Sequence, residues 1–214
     1  MKRLYALVIL SLLSVLSGCT DNWTWRQKIT VSVSTPGGIR SASSVVQASI
    51  GDKKAWWTPP QASGARTGLI GEAVVLEVAP GKYLFALLKG MPRAYAVFFP
   101  DEAPLAIASR LESLRETRTL TPDQYPLLVT FGDIKDPASV RRVDPANLAA
   151  SFGPGYRLNA ITMTITDEPV TEGKVETVLG WLGKYPEPKL SPATGRTTDI
   201  PFSRKVSHGD FIRR

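Results

Sequence analysis

Between residues 28 and 35 the chain alternates without a break: Ile29, Val31 and Val33 are apolar, while Thr30, Ser32 and Ser34 are small and polar. Side chains of an extended chain point to opposite faces in turn, so a period of two buries one face and wets the other. A helix would scatter the same residues around its circumference. The segment predicts a half-buried strand, and with it a sheet that carries packing on at least one face.

Turn chemistry divides the chain beyond this strand. Pro36-Gly37-Gly38 ends it, residues 43–50 predict a second, and Gly51-Asp52-Lys53 turns the chain towards Trp56-Trp57. Residues 58–68 hold two prolines and two glycines with no aliphatic cluster, which predicts a long loop. Residues 72–79 and 82–89 are rich in Val, Leu, Tyr and Phe and flank Ala79-Pro80-Gly81-Lys82, a tight-turn signal, so they predict a hairpin. Residues 95–99 predict a short strand ended by Pro100. Leu105, Ala108, Leu111 and Leu114 recur at helical spacing and predict a helix over 104–117.

The second half mixes both periods. Residues 127–131 and 157–166 predict strands. Asp136-Pro137 and Asp144-Pro145 read as helix starts, a capping carboxylate followed by proline at the first helical position. The second of these runs through Leu148 and Phe152 to Gly153-Pro154-Gly155, and residues 171–182 predict a further helix ahead of Pro186 and Pro188. Together the elements predict an α+β fold: an antiparallel-rich mixed sheet with three or four helices, mainly in the C-terminal half. One domain over 28–190 is expected, with a sub-boundary near Pro100, followed by a basic, flexible tail over 191–214.

The leader carries the strongest functional signal. Met1-Lys2-Arg3 is positive, residues 4–16 are apolar apart from Ser11 and Ser14, and Leu16-Ser17-Gly18-Cys19 contains the only cysteine of the chain. This is the layout of a secretory signal. A membrane-spanning helix needs about 20 apolar residues, against thirteen here. Ordinary secretory cleavage leaves a free thiol near the mature end in an oxidising compartment. Leu16-Ser17-Gly18-Cys19 resembles the lipobox of bacterial lipoproteins. That resemblance implies a signal peptide over 1–18, cleavage between Gly18 and Cys19, and a lipidated tether over 19–27. It further implies a diacylglycerol thioether and an acylated (palmitate-type) amine on Cys19, with the lipid bilayer as partner. Each buried methylene is worth about 0.8 kcal/mol, so several chains anchor firmly. Thr20 stands where aspartate would favour inner-membrane retention, so the resemblance points to the periplasmic face of the outer membrane.

A second resemblance lies in the C-terminal half. The run from Asn147-Leu148-Ala149-Ala150-Ser151-Phe152-Gly153-Pro154-Gly155-Tyr156, through Ile161 to Thr171, to Trp181-Leu182 is similar to a segment of small uncharacterised bacterial envelope proteins. It covers about a fifth of the chain, residues 144–182, and implies a location without a chemistry.

Charge and composition exclude several functions. Loss of Lys2 and Arg3 lowers the net charge from +7 to +5, and Arg204, Lys205, Arg213 and Arg214 against Asp210 place +3 of that in residues 203–214. A body of about +2 lacks the concentrated basic face of a nucleic-acid binder, so no nucleic-acid partner is expected. The basic tail reads either as a solvated terminus or as a contact with anionic headgroups, at about 1 kcal/mol per basic residue.

The sole histidine, His208, lies in that tail, so a serine–histidine–aspartate core lacks its base and a two-histidine zinc site cannot be assembled in one chain. Lipidated, Cys19 offers no thiolate. No phosphate-binding glycine-lysine signature occurs. No metal or cofactor is expected. Asp133, Asp136, Asp167, Glu168 and Glu172 lie near predicted strand ends, where paired carboxylates could hydrolyse glycosidic bonds. As an alternative, Asp136 and Asp144 are helix caps and Asp167-Glu168-Pro169 is a turn.

Trp56-Trp57, followed by Pro59-Pro60, is the candidate partner-binding surface, since tryptophan anchors interfaces; alternatively one indole closes the core edge. Trp23 and Trp25 either lie in the headgroup layer, where indoles are favoured, or share one face of the first strand and pack against the body. The reading is a non-catalytic, lipid-anchored envelope protein whose body binds another envelope protein or peptidoglycan. The alternatives are a carboxylate-based cell-wall hydrolase and an immunity-type inhibitor of a periplasmic toxin.

Overall fold

A computed structural model describes residues 22–52, 65–191 and 201–214. Within them ten strands form two antiparallel sheets. The larger contains β1 (Asn22–Thr35), β2 (Gly38–Asp52), β3 (Ala65–Glu72), β6 (Thr117–Thr119), β9 (Arg157–Thr166) and β10 (Ile212–Arg213), in the order β10-β3-β2-β1-β9-β6. The smaller contains β4 (Val74–Ala79), β5 (Lys82–Ala86), β7 (Leu128–Phe131) and β8 (Val140–Arg142), in the order β4-β5-β7-β8. Four short helices accompany them: α1 (Ala94–Phe98), α2 (Ala108–Ser113), α3 (Ala149–Phe152) and α4 (Lys174–Val178). The class is α+β as predicted, but the helices divide between the two halves instead of gathering C-terminally.

β1 starts six residues before the predicted strand, because Trp23, Trp25 and Gln27 continue the face of Ile29, Val31 and Val33. It pairs with β2 from Asn22↔Gly51 to Thr35↔Gly38 and with β9 on its other side, so one sheet joins both halves of the chain. The inward face of β1 packs against Val74, Leu76 and Val78 of β4 and Leu84 and Ala86 of β5. Phe85 and Leu87 point the opposite way, into a second cluster with Val129, Val140, Val175, Leu179 and Phe211. The smaller sheet is therefore a middle layer, buried on both faces, which explains the near-continuous apolar run of residues 84–88.

That third layer corrects the expected tail. Residues 201–214 are packed: Phe211 is fully buried, with its ring 5.8 Å from Phe85 and 5.9 Å from Phe131. Ala73 N–H donates to Phe211 O at 2.8 Å and Leu88 N–H to Asp210 O at 2.8 Å, and β10 pairs with the end of β3. His208 is held at 2.8 Å from Glu187 and 2.9 Å from Pro188 O.

Other boundaries differ for physical reasons. The strand predicted over 95–99 is instead the helix of residues 94–98, because Ala94, Val97 and Phe98 bury at helical spacing in α1. Residues 65–68, expected in a loop, belong to β3; they are exposed, so an apolar alternation is not required of them. The predicted helix over 104–117 is confined to α2, and the extended Leu114 leads into β6, whose three residues are all exposed. The helix over 171–182 contracts to α4, which begins after the left-handed Gly173 (φ 79°).

Candidate functional site

β3 is paired along one side only for most of its length. Residues 65–70 pair with β2, while β10 covers only Gly71 and Glu72 on the other side. Among the described residues no further strand lies against residues 65–70. This leaves an open edge, with backbone donors and acceptors facing outward. Ile70 on it is 46 % exposed.

The register fixes which side of the sheet each edge residue addresses. Trp25 is opposite Ala48, and Ala48 opposite Leu69, so Thr67 and Leu69 share the inward face of β1. Gly68 and Ile70 lie on the other face. A hollow flanks the edge on each side. The inward one, about 510 Å³, has Trp25, Leu69, Leu88, Met91 and Tyr95 as apolar lining, with Lys89, Arg93, Asp210 and Arg213 as its charged groups. The outward one, about 580 Å³, is formed by Ile70, Val170 and Ile212 with Glu72, Glu172, Glu176, Arg213 and Arg214. Both volumes fall in the range of ligand pockets, about 300–1,000 Å³.

Buried polar groups build the walls. Gln27 is enclosed beside Trp25; its Oε1 accepts from the indole Nε1 at 3.3 Å and its Nε2 donates to Pro92 O at 3.4 Å, which holds residues 89–93 against β1. Asp210 Oδ2 accepts from Ser207 N–H at 2.8 Å and lies 3.9 Å from Lys89 Nζ, whose ammonium also donates to Lys205 O. Arg213 Nε donates to Gly209 O at 2.9 Å, and its guanidinium is 4.0 Å from Asp210. Arg93 is exposed at the rim; its carbonyl accepts from Ala96 and Val97 N–H at 2.9 and 3.2 Å, while its guanidinium makes no hydrogen bond or ion pair with another described residue. The inward hollow therefore carries three cations against one carboxylate.

On the other side, Glu72 accepts from the backbone N–H groups of Lys174 at 3.1 Å and Val175 at 3.3 Å, satisfying the start of α4 from a distant strand. Burial pushes its pKa above the usual carboxylate value, opposed by those two N–H groups and the Lys174 charge. Gly71 (φ 133°) permits the close approach to β2: a Cβ there would lie 2.9 Å from Val46 Cγ1 and 3.1 Å from Val46 Cα.

The sequence-derived candidates lie in separate places. Gly18, Cys19, Trp56 and Trp57 are outside the described residues. Trp23 and Trp25 share the inward face of β1. Trp25, 6 % exposed, belongs to the core, so the headgroup-layer alternative is withdrawn for it; Trp23 is partly buried against the same cluster. The carboxylates do not converge. Asp133 accepts from Lys135 N–H at 2.9 Å, Asp136 caps Ala138 N–H at 2.9 Å, Asp167 pairs with Arg115 and Glu168 with Lys28 at 2.8 Å. Glu172 alone of these reaches the β3 edge, in the outward hollow.

Sequence reasoning missed Gln27, Glu72, Arg93 and Asp210. The legible signal was in the tail, where Val206 and Phe211 punctuate the charges. No family model, curated protein or solved structure matches this chain.

Proposed function

We propose that the protein is a lipid-anchored component of the bacterial cell envelope, held at the periplasmic face of the outer membrane through acylated Cys19, and that its body is a non-catalytic binding module. The anchoring half rests on Leu16-Ser17-Gly18-Cys19. The binding half rests on one observation: a sheet edge that is unpaired among the described residues runs between two hollows of ligand-binding size. The carboxylates Glu72 and Asp210 beside it accept hydrogen bonds from backbone N–H groups, a bonding pattern that suits structural support better than acid–base work on a substrate.

Replacing the acyl acceptor tests the anchor. Cys19→Ser abolishes palmitate labelling and moves the protein from the membrane to the soluble or unprocessed fraction. Unchanged labelling and fractionation would remove the lipoprotein reading. In-cell crosslinking tests the binding half: a protein that forms no specific crosslinks from any surface position is not a binding module.

A further inference from the structure

The open edge and its two hollows together specify a kind of occupant. A strand added beside residues 65–70 would satisfy the outward backbone groups of β3 and send its own side chains alternately to the two faces. Those facing inward would meet Lys89, Arg93 and Arg213, with Asp210 as the only opposing charge among the described residues. Side chains facing outward would meet Ile70, Val170 and Ile212, where Glu72, Glu172 and Glu176 are set against Arg213 and Arg214. The first hollow calls for anions and the second for apolar groups without added negative charge.

We infer that residues 65–70 of β3 accept an extended segment of a partner protein as an added strand, its acidic side chains facing the inward hollow and its apolar ones the outward hollow. The inference rests on the reading of the body as a binding module and names the site and the chemistry of the partner. Charge argues against a second copy as the occupant. Pairing two β3 edges would bring together two sets of Lys89, Arg93 and Arg213, and Arg66 of each copy is exposed on the same edge. Like charges in close apposition oppose such an assembly. The backbone of the edge offers no block to pairing: residues 65–70 contain no proline, Gly68 presents no side chain, and the charge of Arg66 opposes a like-charged strand but suits an acidic one.

The probe is a fluorescein-labelled ten-residue peptide of alternating valine and glutamate, titrated against the full chain in detergent and read by fluorescence anisotropy. The control carries lysine in place of glutamate. The glutamate peptide is expected to bind at least tenfold more tightly than the lysine peptide, and Arg93→Glu to weaken it at least tenfold with the thermal midpoint unchanged. N-methylation of alternate peptide amides reads main-chain pairing directly. Methylation along one side of the peptide should abolish binding, and along the other leave it intact.

Equal binding of the two peptides, tolerance of methylation on both sides, or no saturable binding up to millimolar peptide overturns the inference. So does a dimer in sedimentation velocity that the glutamate peptide dissociates, because the edge would then serve a second copy. These outcomes are independent of acylation. Failed peptide binding with normal palmitate labelling sinks the edge assignment alone, and lost labelling with intact peptide binding sinks the anchor alone.

Discussion

The carboxylate of Glu72 accepts a hydrogen bond from the backbone N–H of Val175 at 3.3 Å, across 103 residues of sequence. Glu72 is 2 % exposed, and burial raises its pKa above the usual 4.5, against the pull of the Val175 and Lys174 N–H groups. The native state therefore holds this proton more tightly than the unfolded chain does. The stability contribution of the protonated group is complete below pH 4.5 and is lost as pH rises through the raised native value. Glu72→Gln keeps an acceptor oxygen without the charge. The difference in unfolding free energy between wild type and this variant should fall with rising pH across that window, and parallel urea-denaturation profiles would contradict it. Glu72→Ala leaves two N–H groups of α4 without their acceptor, at about 1–3 kcal/mol for each buried group left unpaired.

Phe211 makes the C-terminal segment part of the fold. Its buried ring meets Phe85 nearly edge-on, at 80° and 5.8 Å. Truncation of a fully buried phenylalanine costs about 3–5 kcal/mol, so Phe211→Ala should lower the urea midpoint by that amount divided by the m-value. A change under about 0.5 kcal/mol, the range of ordinary surface substitutions, would return residues 201–214 to the status of a tail.

Two glycines separate backbone strain from steric clash. Gly71 and Gly153 both have positive φ, 133° and 105°, but a Cβ meets Val46 only at Gly71 and nothing within 4 Å at Gly153. Both alanine variants incur the cost of a sparsely populated positive-φ backbone, roughly 1–3 kcal/mol. Gly71→Ala adds overpacking of about 1–3 kcal/mol and pushes β3 away from β2. Thermal unfolding should therefore rank Gly71→Ala below Gly153→Ala. Equal losses would show that Val46 moves aside freely.

Trp25 distinguishes core packing from membrane contact. Its indole is buried and donates to Gln27 at 3.3 Å. Trp25→Ala in the non-acylated Cys19→Ser background should destabilise the protein in lipid-free buffer by about 3–5 kcal/mol. An indole serving the bilayer alone would leave that value unchanged.

The parts of the fold legible in the sequence are those where burial is one-sided and local. Residues 161–166 alternate cleanly and β9 has the predicted bounds, with a register shift against β1 opposite residues 158–160, and the turn chemistry of Pro80-Gly81 correctly marks the hairpin of β4 and β5. Short apolar runs were ambiguous: five residues around Tyr95 satisfy a strand or a helical turn equally, and packing of Val97 and Phe98 decides between them. Edge strands left little trace, since β6 and the first residues of β3 bury neither face. The candidate site shared that fate. Glu72 acts through backbone partners that only the folded chain brings near, Asp210 caps Ser207 locally but meets Lys89 only in the folded chain, and Arg93 is one exposed arginine among many until the sheet places it beside an open edge.

The β1–β2 register also orients the molecule. Asn22 stands beside Gly51, and the Thr35↔Gly38 pair closes the opposite end, about 45 Å away at the usual rise for a 14-residue strand. Any tether entering through Asn22 arrives at the end where β2 leaves the sheet and β3 returns to it, with Ile39, 73 % exposed, at the far pole. Trp25 and the hollow it lines are only a few residues from that near end. A molecule suspended from Cys19 would hold the open edge of β3 low, close to the lipid surface, so whatever docks there must itself be able to approach the bilayer.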